Sequence, residues 1–483
     1  MKVRKLEIQL RGDDRRVIAR PFIVNTARVG AVMHRIEQLA EATVEKLLEN
    51  LRRDFYQRHH ETASIFEENY RVAAARIGWK DEWSLSRRHL AGAYFTMEYS
   101  VDSAALFNPS IVAHPDQSNA PRGGLKFIMS LRATGEGHVS SVVFRTGTIN
   151  NKQCVELDPA ATTLHRARIV PDRQYHKPTF RQKLNELGVL QSVIDIVLGK
   201  LNETFTIIDY NDVVEDTRPL MQNIAGSNEA VRTMSWLVSS NYHITLAADA
   251  NLSELVIFPN SEGESHGIED LRLVRFVEDD GQVFYYGTYT AYDGVRTLPM
   301  MICTRDFKRV EVHSLNGPGA ANKGLALFPR RIGGRYIMCS RIDGENLYIN
   351  TSDSAYFWES ATRLATPRYP WEFMQIGNCG SPLETKEGWL LLTHGVGAMR
   401  SYAIGAVLLD LNDPLKVIGH LPEPLITPTD GDREGYVPNV VYSCGAIIHD
   451  NYLYVPYAQA DKSTTMAAVS MDELLNRLLE NRL

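Results

Sequence analysis

Two adjacent carboxylates, Glu269 and Asp270, stand out in the segment GIEDLR from Gly267 to Arg272. The segment is typical of the start of a strand, where Asp270 and Arg272 share one face and Glu269 lies on the other. A cation beside Asp270 would keep its carboxyl ionised, whereas burial would raise its pKa towards that of a general acid. A solvated turn with a local ion pair is the alternative, and spacing alone favours it.

Four more polar residues lie where predicted strands end, namely Lys323, Arg341, His394 and Asp461. Each of them alone is more often structural, as a hydrogen-bonded histidine or a salt bridge at a sheet edge. Together they offer cations for an anion and a carboxylate for acid chemistry. This combination suits a sugar or a phosphorylated substrate.

A recurring strand pattern is the element that must position these residues. A turn with Gly or Asn precedes alternating aromatic and apolar residues, and the last four copies start 53, 54 and 63 residues apart. A strand-rich repeat of about 50 residues is typical of propeller blades, whose inner strands converge on one funnel. Five copies therefore predict a mainly β fold, a five-bladed β-propeller, with a large β-sandwich as the alternative. The copies begin at Gly123, Asp280, Gly333, Glu387 and Asp450.

Three segments have helical periodicity instead. Residues 31–77 contain neither Gly nor Pro, and apolar side chains recur at helical spacing there and at 184–201. Near the end of the chain, Ser470 and Glu473 resemble a capping box. The predicted domains are a helical N-terminal region at 1–100, a propeller catalytic domain at 101–469 with a helical insert at about 170–240, and a C-terminal helix at 470–483.

The long apolar stripes at 31–77 and 184–201 must be buried against something. A closed propeller satisfies its own core and offers little apolar surface to added helices. Helices of two chains can cover each other across a twofold axis, the commonest symmetry of oligomers. We therefore expect a homo-oligomer, with packing inside one chain as the alternative, because periodicity does not identify the partner.

Composition and charge argue against several classes of protein. The 483-residue chain has 52 Lys plus Arg and 58 Asp plus Glu, a net charge of −6 that does not favour nucleic-acid binding. No apolar run approaches the roughly 18 residues of a membrane span, and no secretory signal is recognisable. The five scattered cysteines predict reduced thiols, a cytoplasmic location and no metal site. Motifs for nucleotide phosphates, zinc proteases and serine hydrolases are missing, so we expect no cofactor.

Five blocks follow one another along the chain: FNPSIV from Phe107, GIEDLRL from Gly267, NKGLALFP from Asn322, GSPLETKEGWLLLTHGV from Gly380 and EGYVPNVVYSCG from Glu434. In content and order they resemble glycoside hydrolase family 130, the mannoside phosphorylases and related enzymes. The resemblance covers roughly 104–165 and 242–465, without the N-terminal helices and the insert. It implies a five-bladed propeller, in agreement with the independent count of repeats.

The resemblance also implies a role for each candidate residue. Asp270 matches the single general acid of the family, which is thought to pass its proton through a hydroxyl of the mannosyl ring. Leu271 stands where the family has Pro, and Gln375 stands where a Lys is expected, nineteen residues before His394. Inorganic phosphate is expected to be bound by Lys323, Arg341 and His394, and the sugar by Asn108, Arg132, Glu269, Arg272 and Asp461.

The function implied is inverting phosphorolysis of β-mannoside oligosaccharides, with inorganic phosphate as co-substrate and α-mannose 1-phosphate as product. Phosphate is already anionic, so a phosphorylase needs cations in place of the catalytic base of a hydrolase. A β-mannoside hydrolase is one alternative, motivated by Gln375, and Glu434 or Asp461 would then be its second carboxylate. A carbohydrate-binding propeller without turnover is the other.

Overall fold

Strand residues outnumber helical residues and the strands pair almost entirely antiparallel, which confirms the prediction of a mainly β fold. Of the predicted insert, residues 171–173 lie outside the described part of the chain. The computed structural model describes residues 1–56, 58–59, 61–80, 82–166, 168–170, 174–246 and 250–482.

The strands are short and follow one another mostly as hairpins. In chain order they are β1 Val3–Lys5, β2 Val17–Pro21, β3 Thr96–Ser100, β4 Ala105–Ala113, β5 Leu125–Thr134, β6 Ser140–Ile149, β7 Val155–Leu157, β8 His165–Arg166, β9 Arg168–Val170, β10 Tyr175–His176, β11 Thr204–Phe205, β12 Tyr242–Thr245, β13 Leu255–Ile257, β14 Gly267–Val277, β15 Val283–Tyr292, β16 Thr297–Thr304, β17 Arg309–Ser314, β18 Lys323–Leu327, β19 Tyr336–Arg341, β20 Leu347–Ser352, β21 Ala361–Ala365, β22 Gln375–Asn378, β23 Leu383–Thr385, β24 Gly388–Val396, β25 Tyr402–Leu409, β26 Val417–His420, β27 Val441–Tyr442, β28 Ile447–His449, β29 Tyr452–Gln459 and β30 Ser463–Ser470.

The helices precede, interrupt and follow the main sheets. They are α1 Thr26–Glu37, α2 Glu41–Phe55, α3 Thr62–Ile77, α4 Leu85–Tyr94, α5 Lys177–Glu186, α6 Gln191–Lys200, α7 Ile207–Met221, α8 Ser227–Ser239 and α9 Met471–Glu480. Within the described residues, none of these helices is long and apolar enough to cross a membrane.

Five antiparallel strand groups carry the fold. The first is β4–β7, the second β14–β17, the third β18–β21, the fourth β22–β26 and the fifth β27–β30, with β1 added to β30. The first two groups share one twelve-stranded sheet, in which β6 and β14 meet at Ser140 and Gly267. Each repeat found in the sequence supplies the strand that pairs with the first strand of its group, namely β5, β15, β19, β24 and β29.

The turn at Gly333 and Gly334 illustrates why these segments form hairpins. Both glycines have positive φ angles, 59° and 77°, which side chains with a Cβ rarely adopt. The turn lets the chain reverse between β18 and β19, whose residues then pair from Lys323 opposite Arg341 to Leu327 opposite Met338. The two ends that matter for chemistry, the start of β18 and the end of β19, are thereby placed side by side.

The prediction of helix throughout residues 1–100 is too broad. Residues 3–5 form a strand that pairs with β30, and residues 17–21 pair with β3. Directly after the first of these, Leu6, Ile8 and Leu10 alternate with polar residues at the period of a strand, and the segment continues beside β30 through Leu6 and Leu10. The predicted helical run at 31–77 is divided into parts of α1, the whole of α2 and α3, although no Gly or Pro marks the breaks.

Both apolar stripes are buried inside the chain. In the N-terminal region, Met33, Val44 and Leu90 belong to one core shared by α1–α4. The insert packs on the first two strand groups, where Leu184 and Val197 share a core with strand residues such as Val112, Ile128, Ile268 and Leu273. The premise that the sheets offer added helices little apolar surface is therefore wrong for the insert, whereas α1–α4 bury their apolar side chains mainly against one another. The homo-oligomer stays a prediction without that argument.

Candidate active site

The nine residues predicted for the site lie at the hairpin ends of the strand groups. In an antiparallel hairpin the start of one strand adjoins the end of the next, as Lys323 adjoins Arg341 and Phe107 adjoins Arg132. Residues far apart in sequence therefore meet. The nine are Asn108 in β4, Arg132 in β5, Glu269, Asp270 and Arg272 in β14, Lys323 in β18, Arg341 in β19, His394 in β24 and Asp461 in the turn after β29.

Irregular backbone at the start of the first strands directs two of these side chains. The pairing of β4 with β5 shifts register after Phe107, and the pairing of β14 with β15 shifts after Glu269. Asn108 and Asp270 lie in these shifts with left-handed φ angles of 47° and 57°. Asn and Asp tolerate this conformation better than most residues, and bulges commonly redirect a side chain beside an active site.

Asp270 is held by donors from the first group. Its Oδ1 accepts hydrogen bonds from Asn108 Nδ2 at 2.7 Å and from Arg132 Nη1 at 3.4 Å, and its side chain is 19% exposed. Burial raises the pKa of Asp270, but Arg132, Arg272, the Asn108 hydrogen bond and Lys323 together outweigh it and leave the pKa below its usual value. The carboxyl is therefore ionised, and an anion bound among the same cations would raise its pKa.

Glu269 joins the cations of two groups. Its Oε1 accepts from Arg132 Nη2 at 3.1 Å, and its Oε2 accepts from Lys323 Nζ at 2.6 Å. Arg132 is further fixed by the ring of Phe107, 5.0 Å from its guanidinium carbon, and by Ser140 Oγ, which accepts from Nε at 2.9 Å. Glu269 thus orients Arg132 and Lys323 beside Asp270.

Arg272 is almost completely buried, at 3% exposure. Its Nη1 donates to the backbone oxygen of Asp270 at 3.1 Å, and its Nη2 donates to the hydroxyl of Tyr442 at 2.7 Å. Its Nε has no hydrogen-bond partner within the described residues. Tyr442 was missed by the sequence analysis because its partner lies 170 residues away, although it stands inside the EGYVPNVVYSCG block.

His394 is a neutral acceptor, and the expectation that it adds a cation is wrong. Its Nδ1 lies 3.1 Å from the backbone oxygen of Asn378, to which it donates, so Nε2 accepts. Arg341 Nη1 and Gln375 Nε2 both donate to that Nε2 at 3.3 Å. Burial, Arg341 and Arg272 lower the pKa of His394 well below its usual value. The histidine therefore positions Arg341.

Asp461 is the third carboxylate of the cluster, in addition to Glu269 and Asp270. Burial and the charge of Asp270 raise its pKa to about 6, against the opposing effects of Arg132 and Arg400. Arg400, in the turn between β24 and β25, was missed because nothing in its local sequence distinguishes it from a solvated surface residue. Glu434, the other candidate second carboxylate, is exposed and lines a different cavity, beside residues 9–12.

Replacing Asp461 by Asn is expected to change the pH dependence of stability. The folded-state pKa of about 6 lies above the reference value of 3.8, so wild-type stability falls as pH rises between these values. The free energy of unfolding of Asp461→Asn relative to wild type should therefore increase by up to about 3 kcal/mol across that interval. Urea unfolding at about pH 4 and about pH 8 measures it.

Asp353→Asn is the control, since the Asp353 side chain is exposed at the protein surface. It should show the same small stability difference at both pH values. A pH-independent difference for Asp461→Asn would contradict the buried, proton-binding state of Asp461.

Positive charge is in excess around Asp270. Three cations act on the carboxylates of Glu269 and Asp270, and a fourth, Arg341, pairs across the hairpin with one of them, Lys323, while Asp461 holds its proton up to about pH 6. The Nε atoms of Arg272 and Arg341 are buried without a hydrogen-bond partner in the described ranges, so both guanidinium groups have donor capacity that the protein does not use. No group of three or more metal-ligating side chains is found among the described residues. The site is thus suited to an anion. The cations are Arg132, Arg272, Lys323 and Arg341.

Comparison with known proteins matches the strand-rich part of the chain. A family model described as beta-1,4-mannooligosaccharide phosphorylase matches residues 243–480. The 1,2-beta-oligomannan phosphorylase of Thermoanaerobacter sp. (strain X514) is 35% identical over 227 residues, covering 46% of this chain and 75% of the relative. The beta-1,2-mannobiose phosphorylase of Listeria innocua is 28% identical over 288 residues, covering 57% of this chain and 78% of the relative.

A solved structure of beta-1,2-mannobiose phosphorylase from Listeria innocua, in complex with beta-1,2-mannobiose, is also similar. It superposes with a TM-score of 0.46 at 22% identity, over 79% of this chain and 93% of that one. The family model does not extend to β4 and β5, so the placement of Asn108 and Arg132 beside Asp270 rests on the structure alone.

Proposed function

The chain belongs to glycoside hydrolase family 130, and we propose that it is an inverting β-mannoside phosphorylase. The observation that carries the proposal is the group of cationic side chains gathered around Glu269 and Asp270, among which Arg272 and Arg341 keep a buried Nε without a partner in the described residues. Phosphate is the co-substrate that such a cluster would bind, and no further cofactor is needed. The products would be α-mannose 1-phosphate and a mannoside shortened by one unit.

In the proposed reaction a phosphate oxygen attacks the anomeric carbon from the face opposite the leaving group. The new carbon–oxygen bond forms as the glycosidic bond breaks, so the anomeric configuration inverts. Lys323 and Arg341 would hold the phosphate, with His394 positioning Arg341. Because phosphate is already a nucleophilic anion, the site needs no base to activate it.

The leaving oxygen must receive a proton, and Asp270 is the proposed source. In the empty site its pKa is low, despite burial, because Arg132, Arg272 and Lys323 surround it. Phosphate would offset part of that positive charge and so raise the pKa of Asp270 in the complex. Proton donation would then be coupled to the presence of the nucleophile. Transfer through a hydroxyl of the mannosyl ring is the route implied by the family.

The remaining predicted residues would form the wall around the mannosyl ring. Asn108 and Arg132 contact Asp270 directly, and Glu269 holds Arg132 from the other side. A sugar in this position can exchange hydrogen bonds with the amide, guanidinium and carboxylate groups. Asp461 would add an acceptor or a donor, according to its protonation.

We propose a five-bladed propeller for the architecture, with one strand group in each blade. Hydrogen bonds link every group to the next and the fifth back to the first, as a closed ring requires. A cavity of about 410 Å³ is also lined by residues of all five groups. The linking bonds run from Leu273 N to Ser110 Oγ at 3.0 Å, from Val277 N to Pro329 O at 2.9 Å, from Ile376 N to Glu345 O at 2.9 Å, from Tyr402 N to Asn439 O at 2.9 Å and from Cys444 N to Pro109 O at 2.8 Å.

Hydrolysis by the same site is the second candidate, and one observation favours it. Asp461 interacts with Asp270 and has a pKa of about 6, which suits a base that activates water near neutral pH. Gln375, in place of a cationic side chain, also reduces the charge available for phosphate. The exposed position of Glu434 makes Asp461 the better of the two candidate bases.

Incubation with β-mannobiose, with and without inorganic phosphate, tests the proposal. Sugar phosphate that forms only when phosphate is added is the expected result. Free mannose released equally with and without phosphate would identify a hydrolase. No turnover under either condition would favour the carbohydrate-binding alternative.

A further inference from the structure

Four large apolar side chains are exposed on turns that border the site. Phe373 and Met374, just before β22, are 60% and 68% exposed, Met399 is 89% exposed, and Tyr436 is 64% exposed. Apolar groups gathered on a surface next to a ligand site commonly take part in binding. Their positions along the chain relate them to the residues described above.

The turns before β22 and after β24 are joined to each other and to the site. Met374 N donates to Val396 O at 3.0 Å, which ties the start of β22 to the end of β24. The next residue, Gln375, reaches His394. Met399 directly precedes Arg400, whose charge acts on Asp461. Both apolar turns are therefore at the edge of the charged cluster.

Tyr436 borders the site from the fifth group. Val437 N donates to Ala460 O at 3.0 Å, so the segment that carries Tyr436 runs beside the residue before Asp461. The Tyr436 ring stacks on His138, with centroids 5.4 Å apart and planes at 24°. His138 lies in the turn before Ser140, which holds Arg132. The stacked pair thus links the first and fifth groups close to the turns that lead to Arg132 and Asp461. We call this edge of the charged cluster the mouth of the site.

We infer that these side chains bind further sugar units of the same oligomannoside, beyond the two units that flank the cleaved bond. We refer to the surface formed by these side chains as the mouth platform; its residues are Tyr436, His138, Met399, Met374 and Phe373. A pyranose ring has an apolar face of C–H groups that packs against aromatic and thioether side chains, and hydroxyl edges that remain in water.

The inference rests on the proposed function and adds a preference for chain length. The charged cluster is buried and polar, so it takes the mannosyl unit at the cleaved bond, and the rest of a long chain must leave through the mouth. Phosphate forms no favourable contacts with an apolar surface. The sugar chain is therefore the ligand for the platform, because it extends there from the charged cluster. A protein partner on this surface is an alternative outcome of the test.

Tyr436→Ala tests the platform with β-linked mannobiose and mannotetraose of the same linkage. The kcat/KM for mannotetraose should fall about tenfold more than that for mannobiose, the size expected for one lost aromatic contact. The loss should appear mainly in KM, because this contact is made in the ground state and the transition state alike. Tyr436→Phe should retain the wild-type ratio of kcat/KM for mannotetraose to kcat/KM for mannobiose.

Tyr56→Ala is the matched control, since Tyr56 is 71% exposed and lies at the end of α2, away from the site. Its kinetic constants should equal those of the wild type. Met399→Ala tests a second residue of the platform independently. It should also lower the ratio of kcat/KM for mannotetraose to kcat/KM for mannobiose. If Tyr436→Ala and Met399→Ala changed kcat/KM equally for both substrates, or for neither, the inferred role of the platform would be wrong.

Calorimetric titration separates this inference from the proposed function. Binding of mannotetraose to Tyr436→Ala should be about tenfold weaker than to the wild type, whether or not the sugar is turned over. Unchanged binding would overturn the platform even if phosphorolysis is observed. Weaker binding without phosphorolysis would support the platform and reject the proposed reaction.

Discussion

Asp270→Asn is expected to lower turnover of an unactivated β-mannoside by about 10²–10⁴-fold, the usual contribution of a positioned proton donor. Asn has nearly the shape of Asp but no acidic proton. It also tolerates the left-handed backbone that residue 270 adopts, with φ of 57°, so the bulge in β14 should persist. The measurement is the steady-state rate with saturating phosphate and a mannoside whose leaving group needs protonation.

Two comparisons make the Asp270 result interpretable. Asp353→Asn alters an exposed carboxyl paired with Arg335 and should retain wild-type turnover. Loss of a buried charge beside Arg132 and Arg272 also affects stability. Thermal unfolding therefore has to show that Asp270→Asn is folded at the assay temperature. Near-normal turnover by folded Asp270→Asn would reject Asp270 as the proton donor.

Arg341→Ala is expected to raise the KM for phosphate about 10- to 100-fold and to affect the KM for the mannoside much less. Charge-assisted hydrogen bonds are worth about 1.5–3 kcal/mol, and about 1.4 kcal/mol corresponds to a factor of ten. The buried Nε of Arg341 has no partner in the described residues, and Nη1 is aligned by His394, so the guanidinium is oriented before phosphate arrives. Initial rates with each substrate varied in turn measure both constants.

Arg335→Ala removes a comparable guanidinium from the surface and should leave both constants unchanged. Arg341→Lys should lie between wild type and Arg341→Ala, because a single ammonium cannot reproduce the fork of the guanidinium. Equal increases in the two KM values for Arg341→Ala would contradict a phosphate site at this residue.

The strands could be predicted because their signal is local. Each of the five repeats combines a turn with alternating apolar residues, and each forms the strand that pairs with the first strand of a group. The breaks between α1, α2 and α3 could not be predicted, since residues 38–40 and 56–61 contain no Gly or Pro. The three helices share one core with α4, a contact between distant segments that local sequence does not reveal.

The candidate residues could be named from motifs, but their chemical states could not. His394 is neutral because it is buried beside Arg341 and Arg272, which come from other strand groups. The protonation state of Asp461 also depends on the fold, because burial and the charge of Asp270 raise its pKa. Such states depend on distances between residues that the sequence separates by 50 or more positions, and only the folded chain sets those distances.

Tyr442 and Gln375 show the same limit from another side. Tyr442 orients Arg272, and Gln375 shares the Nε2 of His394 with Arg341. The position of Gln375, nineteen residues before His394, was noted from the family resemblance, but its contact with His394 was not, and nothing in the sequence indicates the contact of Tyr442 with Arg272. Tyr442 helps to align the Arg272 guanidinium, whereas Gln375 competes with Arg341 for the lone pair of His394 Nε2.

The central claim is that phosphate displaces the mannoside in one step with inversion. Proton NMR of the first sugar phosphate formed from β-mannobiose and inorganic phosphate tests it most directly. The proposed mechanism predicts α-mannose 1-phosphate, formed in equal amount to the released mannose. β-Mannose 1-phosphate, or free mannose as the only new sugar, would contradict it.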